Sequence, residues 1–273
     1  MSIYRYFEIS KARNIDGGVT TSRRNVKLND IKKKFDFLKS DITMFRFLEV
    51  TMKKIRVAID GPAGAGKSSV SRLTAERLGY SYIDTGAIYR ALAFFMGDTA
   101  VEEHDKIREL LKNFEVSFRI SDGVNHVFLN GNDITAEIRT ENISRKASSI
   151  SAIPFVREAL FEMQRKYAET GGVGMEGRDI GTVIMPDAEL KIFLTASPEK
   201  RAKRRMLELE AKGQKVDFDE LVKEIKERDF RDSNRAVSPL KQADDAVLVD
   251  NSGINLEQTV DVIVKYAEER GAE

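Results

Sequence analysis

The chain has 273 residues, a net charge of +1, two histidines and no cysteine. That length can bury a sizeable core, the balanced charge gives no footprint for nucleic acid or a membrane surface, and the lack of thiols excludes a disulfide framework and a cysteine nucleophile. His104 and His126 both lie in charged or polar stretches, so surface positions are expected instead of a histidine metal centre or catalytic triad, and no apolar run reaches membrane-spanning length. Residues 1–52 are basic, carry Gly17-Gly18 and Thr20-Thr21-Ser22, and read as an N-terminal extension, disordered or partly helical. Within it Ile31, Phe35, Leu38, Ile42 and Phe45 recur at four- and three-residue steps, which would give one apolar helix face able to dock on the following domain or a partner. Acidic residues throughout argue against a transit peptide and no secretory apolar region is seen, so a cytoplasmic location is expected.

A domain is expected over residues 53–273. Residues 55–59 form a short apolar strand that runs into Gly61-Pro62-Ala63-Gly64-Ala65-Gly66-Lys67-Ser68, a full match to G-x-x-x-x-G-K-[ST]. In such a loop the glycines let several backbone N–H groups point at phosphate oxygens, the lysine reaches the β- and γ-phosphates, and the hydroxyl can sit on Mg²⁺. Residues 69–78 then read as a helix with Val70, Leu73 and Leu78 on one face and Gly79 as its stop. Strand, loop and helix come in the order the motif needs.

Residues 82–84 read as a second strand and 86–95 as a helix. Alternating apolar residues over 114–136, broken at Ser121-Asp122-Gly123 and Asn130-Gly131, predict antiparallel hairpins. Val156, Leu160, Met163 and Tyr167 mark one face of a helix ending near Gly171-Gly172. Strands are expected at 173–176, 190–194 and 246–249, with helices opened by Ser197-Pro198, by Asp217-x-x-Glu220 and by Asn255-x-x-Gln258. This alternation predicts an α/β fold: a doubly wound, five-stranded parallel sheet with a small antiparallel β insertion and a helical lid.

A phosphate loop specifies a nucleoside triphosphate, not its fate. The chain lacks the Asn-Lys-x-Asp of GTPases and the Leu-Ser-Gly-Gly-Gln of transporter ATPases, and Gly177-Arg178-Asp179 lacks the Asn that a protein-kinase catalytic loop needs five residues on, where Ile184 stands. Arginine recurs instead: Arg90 after Asp84-Thr85-Gly86, Arg178 after a strand, and Arg228, Arg231 and Arg235 late in the chain, with Asp229 and Asp232 among them. Arginines clamp phosphates bidentately and stay charged at any working pH, and an anionic acceptor phosphate needs no general base. Taken alone, the late cluster reads equally as a solvated helix face.

Several blocks carry a family resemblance. Ala58-Ile59-Asp60-Gly61-Pro62, Asp84-Thr85-Gly86-Ala87-Ile88-Tyr89-Arg90, Ile138-Arg139, Pro154-x-Val156-Arg157-Glu158-Ala159-Leu160, Glu176-Gly177-Arg178-Asp179-Ile180-Gly181-Thr182-Val183 and Asn234-Arg235-Ala236-Val237-x-Pro239-Leu240 resemble bacterial cytidylate kinase from residue 52 to the C-terminus. The resemblance implies transfer of the γ-phosphoryl of ATP to CMP or dCMP in pyrimidine nucleotide metabolism, with Mg²⁺, by a monomer that binds neither nucleic acid nor membrane. It implies a monophosphate-binding insertion near 97–170 and a mobile lid near 198–235.

Residue by residue, the resemblance places ATP phosphates on the loop from Gly61 to Ser69 with Lys67, and Mg²⁺ on Ser68. It puts Thr85, Tyr89 and Arg90 in the monophosphate site, Thr85 standing where the family often has serine. Ser148, Arg157 and Asp179 match cytosine-reading positions, Arg178 an acceptor-phosphate ligand, and Arg228 and Asp232 lid contacts to the acceptor. Arg235 matches an arginine near the transferring phosphoryl, so Lys67, Arg178, Arg228 and Arg235 are the catalytic candidates. A kinase of another small acceptor, such as a different nucleoside monophosphate or shikimate, and a nucleotide-dependent binding protein engaging a partner through residues 1–52 stand as alternatives.

Overall fold

The structure, a computed structural model, describes residues 54–272 except 122, 123, 170 and 212. The extension and the apolar face expected over residues 31–45 lie outside the described residues.

Strand β1 (Arg56–Asp60) leads into helix α1 (Lys67–Leu78), and β2 (Ser81–Asp84) into α2 (Thr85–Phe95). Helix α3 (His104–Leu111) precedes an antiparallel sheet of β3 (Val116–Ser121), β4 (Val124–Leu129) and β5 (Asn132–Asp133). A 3-10 turn over Glu137–Arg139, helix α4 (Glu141–Ile150) and helix α5 (Pro154–Lys166) complete this region. Next come β6 (Val173–Gly177), a π-turn over Ile180–Ile184, and β7 (Leu190–Thr195). Helices α6 (Pro198–Glu210) and α7 (Phe218–Asn234), strand β8 (Val247–Asp250) and helix α8 (Leu256–Glu268) close the described chain.

The main sheet is five-stranded and parallel, in the order β2-β6-β1-β7-β8. Its inner strands β1, β6 and β7 are buried on both faces, whereas at the edge strand β8 Leu248 and Asp250 are exposed. Alternation decides the faces: Val57, Ile59, Leu190, Ile192 and Leu194 join the core under α1 and α8, while Ala58, Ile83 and Met175 join a second core with Ile180, Ile184 and Met185. A third core around Ile88, Leu92, Ile107, Ile138, Ile150 and Leu160 joins α2 to the inserted helices and the small sheet. A fourth, of Ala202, Leu209 and Leu221, belongs to α6 and α7 alone.

The caps read from the sequence form as hydrogen bonds. Ser197 accepts from the Lys200 N–H at 3.2 Å, and Asn255 and Gln258 make a complete reciprocal box. Asp217 supplies its half, accepting from the Glu220 N–H at 2.9 Å. Gly79 ends α1 in the left-handed region at φ 63°. Helices α3 and α4, of eight and ten residues, carry no sequence expectation; their apolar faces are Ile107, Leu110 and Leu111 in α3 and Ile143, Ala147 and Ile150 in α4.

Parallel pairing sets the C-terminal ends of β2, β6 and β1 side by side, with Asp84 beside Glu176 and Asp60 beside Gly177. Ligands of open α/β sheets bind at this edge. The phosphate loop crosses the edge through Gly61, at φ 151°, where an added Cβ would stand 1.9 Å from the Leu194 carbonyl oxygen on β7. Only a residue without a side chain lets the chain pass that close to a neighbouring strand. Gly61→Ala is expected to cost about 2–4 kcal/mol of folding stability; urea unfolding at neutral pH measures it.

Candidate active site

Gly64 and Gly66 take left-handed conformations, at φ 75° and 89°, and Gly66 is the N-cap of α1 with no side chain bonding the first turn. The N–H groups at this helix end are therefore available to an anion. Buried Lys67 folds back so that its Nζ donates to the Pro62 carbonyl at 2.9 Å. Burial, and then the neighbouring guanidinium groups of Arg178 and Arg228, push its pKa down; Glu176 and Asp60 oppose this.

Two buried carboxylates support the loop. Glu176 accepts from the Tyr82 hydroxyl at 2.6 Å. Burial and nearby Asp84 raise its pKa. Asp60 accepts from the Ile180 N–H at 2.8 Å and the Gly181 N–H at 2.7 Å. Burial pushes its pKa up to about 6 against the pull of those two N–H groups. Asp60 thus ties the end of β1 to the turn that holds Arg178 and Asp179.

A cleft of about 720 Å³ opens over these groups. On its other wall Asp84 caps α2, accepting from the Ala87 N–H at 3.1 Å and from Arg90 at 2.6 Å. The Thr85 hydroxyl donates to the Glu176 carbonyl at 2.7 Å, so of its hydrogen-bonding capacity only the lone pairs are left for a ligand. Arg157 pairs with Asp179, donates to the Ser151 carbonyl at 3.1 Å, and lies 5.6 Å from the centre of the Tyr89 ring. Arg235 approaches the other Asp179 oxygen at 3.7 Å, and Arg178 bonds Asp232 at 3.0 Å. The Nε atoms of Arg157 and Arg228 are buried without a hydrogen-bond partner. Burial, and then adjacent Arg178, lower the Arg228 pKa.

Every candidate named from the sequence lines this cleft except Gly61, Pro62 and Ala65, which form the back of the loop. Among the described residues its wall holds eight arginines and Lys67 against five carboxylates, a surplus suited to a polyanion. Sequence reasoning did not single out Glu176, Asp84, Arg201, Arg204 or Asn251 as site residues. Arg204 donates to the Ala65 carbonyl at 3.3 Å and to Asn251, whose side chain donates to that carbonyl at 2.9 Å. Arg201 and Arg204 stand one helical turn apart after Ser197-Pro198, the one sequence signal that could have found them.

No group of three or more His, Cys, Asp or Glu side chains able to hold a metal occurs among the described residues. Mg²⁺ held largely by phosphates and water needs only one or two protein oxygens. The Ser68 hydroxyl and the Glu176 carboxylate, both on the cleft wall with Lys67, are such a pair.

Residues 57–269 match the family model described as cytidylate kinase. The chain is 48% identical over 216 residues to a cytidylate kinase of Caldicellulosiruptor saccharolyticus, covering 78% of this chain and 96% of that protein. It is 47% identical over 219 residues to one from Pseudomonas aeruginosa, covering 79% and 96%. A solved shikimate kinase from Bacteroides thetaiotaomicron aligns at 15% identity with a TM-score of 0.41, over 78% of this chain and 98% of that one.

The Asp60 carboxyl gives this site a pH signature. Its folded pKa, about 6, lies above the unfolded 3.8, so the native state holds an extra proton between them and Asp60's contribution to stability falls as pH rises through that window. An amide has no such titration. The stability difference between Asp60→Asn and the parent protein is therefore expected to move by about 2–3 kcal/mol in favour of the variant from pH 4 to pH 7, measured by denaturant unfolding at each pH.

Proposed function

The chain belongs to the cytidylate kinase family, and we propose that Lys67, Arg178, Arg228 and Arg235 carry its transfer of the γ-phosphoryl of ATP to CMP or dCMP. The observation that supports this most is the buried Arg157–Asp179 pair, set in an arginine-lined cleft that also holds the phosphate loop and Lys67.

In this reading the phosphate loop and the α1 N-terminus bind the ATP phosphates, and Lys67 leaves the Pro62 carbonyl to reach them. Ser68, with Glu176 near it, would hold Mg²⁺, which would supply neutralisation of phosphate charge. Arg90 and Arg178 hold the acceptor phosphate. Arg228 and Arg235 face the group in transfer, where charge is spread over its equatorial oxygens. The acceptor is already an anionic nucleophile, so no histidine or cysteine base is called for. Positioning and charge neutralisation make up the catalysis.

Base choice follows from hydrogen-bond complementarity. Cytosine presents an N4 amino donor, and its N3 and O2 accept. The Asp179 carboxylate, held by Arg157 and Arg235, suits the amino group, while the unpartnered Arg157 Nε and the Ser148 hydroxyl suit the acceptors. Uracil turns the amino donor into an acceptor facing a carboxylate, and a mismatch of this kind costs orders of magnitude in kcat/KM. The insertion around α3–α5 and the α6–α7 helical pair correspond to the monophosphate-binding region and the lid.

Steady-state transfer from Mg·ATP to CMP, dCMP, UMP, AMP, GMP and shikimate tests the assignment. Fast turnover of CMP and dCMP alone is expected, with UMP at least about a hundredfold lower in kcat/KM. Equal use of UMP would refute the pocket reading. Asp179→Asn is expected to narrow the CMP-to-UMP ratio by about tenfold or more, and an unchanged ratio would remove Asp179 from base recognition.

A further inference from the structure

Helix α7 brings Arg228 and Asp232 to the cleft, and Arg235 follows at its C-terminal cap, yet this end of the helix has no apolar anchor. The residues α7 gives to the small core with α6 are Phe218, Leu221, Val222 and Ile225, all in its first half. Beyond them the one buried residue of the helix is Asp232, and Phe230 is 69% exposed. Polar links hold this end instead. The Arg178–Asp232 pair faces the cleft, where an arriving phosphate competes for Arg178. The Lys226–Glu199 pair is exposed, and surface pairs of that kind hold little.

The Leu240 N–H donates to the Asp232 carbonyl at 2.8 Å and Arg235 stands 3.7 Å from Asp179, but among the described residues the link from this end of α7 to the phosphate loop runs through Arg201. It projects from the first turn of α6 and is 3% exposed. Its Nε donates to the Ala196 carbonyl at 2.9 Å, and its Nη1 to the Ala63 carbonyl in the phosphate loop at 3.0 Å. Both terminal nitrogens reach the Asp229 carboxylate, at 2.9 and 2.5 Å. Its Cβ also packs on the loop, standing 3.3 Å from where a Cβ on Gly64 would be. A second hollow, lined by Pro62, Phe193, Ser233 and Leu240 as well as by Arg201 and Asp229, lies against the pair, so packing there does not substitute for it. One guanidinium therefore spans the loop that receives the donor phosphates and the residue next to Arg228.

We propose that Arg201 and Asp229 are a positioning pair that fixes Arg228 relative to the phosphate loop and so governs the transfer step, not substrate binding. The proposal rests on the role given to Arg228 above. Arg201 makes four hydrogen bonds, two of them a parallel fork on the Asp229 carboxylate, where an ammonium has three donors and no fork. Misplacement of a charged group by about 1 Å costs on the order of a hundredfold in rate.

A double-mutant cycle on the full chain tests it. Asp229→Asn, Arg228→Met and the double variant are compared for kcat, for KM of CMP and ATP, and for thermal midpoint. Asp229→Asn is expected to lower kcat by about ten- to a hundredfold, with both KM values within about threefold of the parent's. The double variant is expected to be no slower than Arg228→Met alone, within about twofold, and Asp229→Glu to regain part of the loss. Multiplying losses in the double variant, a rise in KM with kcat intact, or an unchanged kcat in Asp229→Asn would overturn the proposal. If Asp229→Asn does not fold, Arg201→Lys is judged by the same kcat-selective criterion. Wild-type turnover by Arg228→Met would instead refute the role of Arg228 itself, a separate failure.

Discussion

The Asp60 carboxylate is the contact on which the cleft depends. It sits at the end of the central strand, one residue before the phosphate loop, and grips two consecutive N–H groups of the turn that follows β6. That turn presents Arg178 and Asp179, so a single side chain registers the phosphate loop against this arginine and this carboxylate. The burial that raises its pKa makes this a costly device. Main-chain groups at 180 and 181 would otherwise be buried without partners, which explains why a charged acceptor is kept here in place of an apolar residue.

The same logic extends outward. Each cleft arginine with a named role, apart from Arg228, is held by a carboxylate or a carbonyl: Arg90 by Asp84, Arg157 by Asp179, Arg178 by Asp232, Arg235 by the Ser238 carbonyl. Clustered guanidinium groups repel, and the internal acids let them share a small volume before any phosphate arrives. Lys67 is treated likewise, resting on the Pro62 carbonyl. The internal acids offset part of this charge and leave the cleft with a net positive surplus.

How much of this was legible in the sequence depended on how local each signal is. The phosphate loop, its flanking strand and helix, and the caps at Ser197, Asp217 and Asn255 are short-range patterns, and they could be read directly. Helices α3 and α4 were not read: Ile107, Leu110 and Leu111, and Ile143, Ala147 and Ile150, do fall at helical spacing, but over only eight and ten residues. Among the site residues, those in the family blocks were identified by their neighbours in sequence. Glu176 stands in such a block, but its link to Tyr82 spans 94 positions, and that of Asn251 to Ala65 spans 186. Partnerships over such distances exist only once the parallel sheet has brought strand ends together.

That difference also separates the two halves of α7. Its first half follows from a four-residue apolar rhythm that any helix pair would need. Its second half reads in the sequence as an ordinary charged surface: the i, i+4, i+7 spacing sets Arg228, Asp232 and Arg235 on one face and Asp229 off it, but does not say which face meets the cleft. Geometry divides them: Arg228 and Asp232 turn to the cleft, while Asp229 turns to Arg201 at the base of the phosphate loop. A segment held by ion pairs instead of packed side chains can leave and return without unmaking a core.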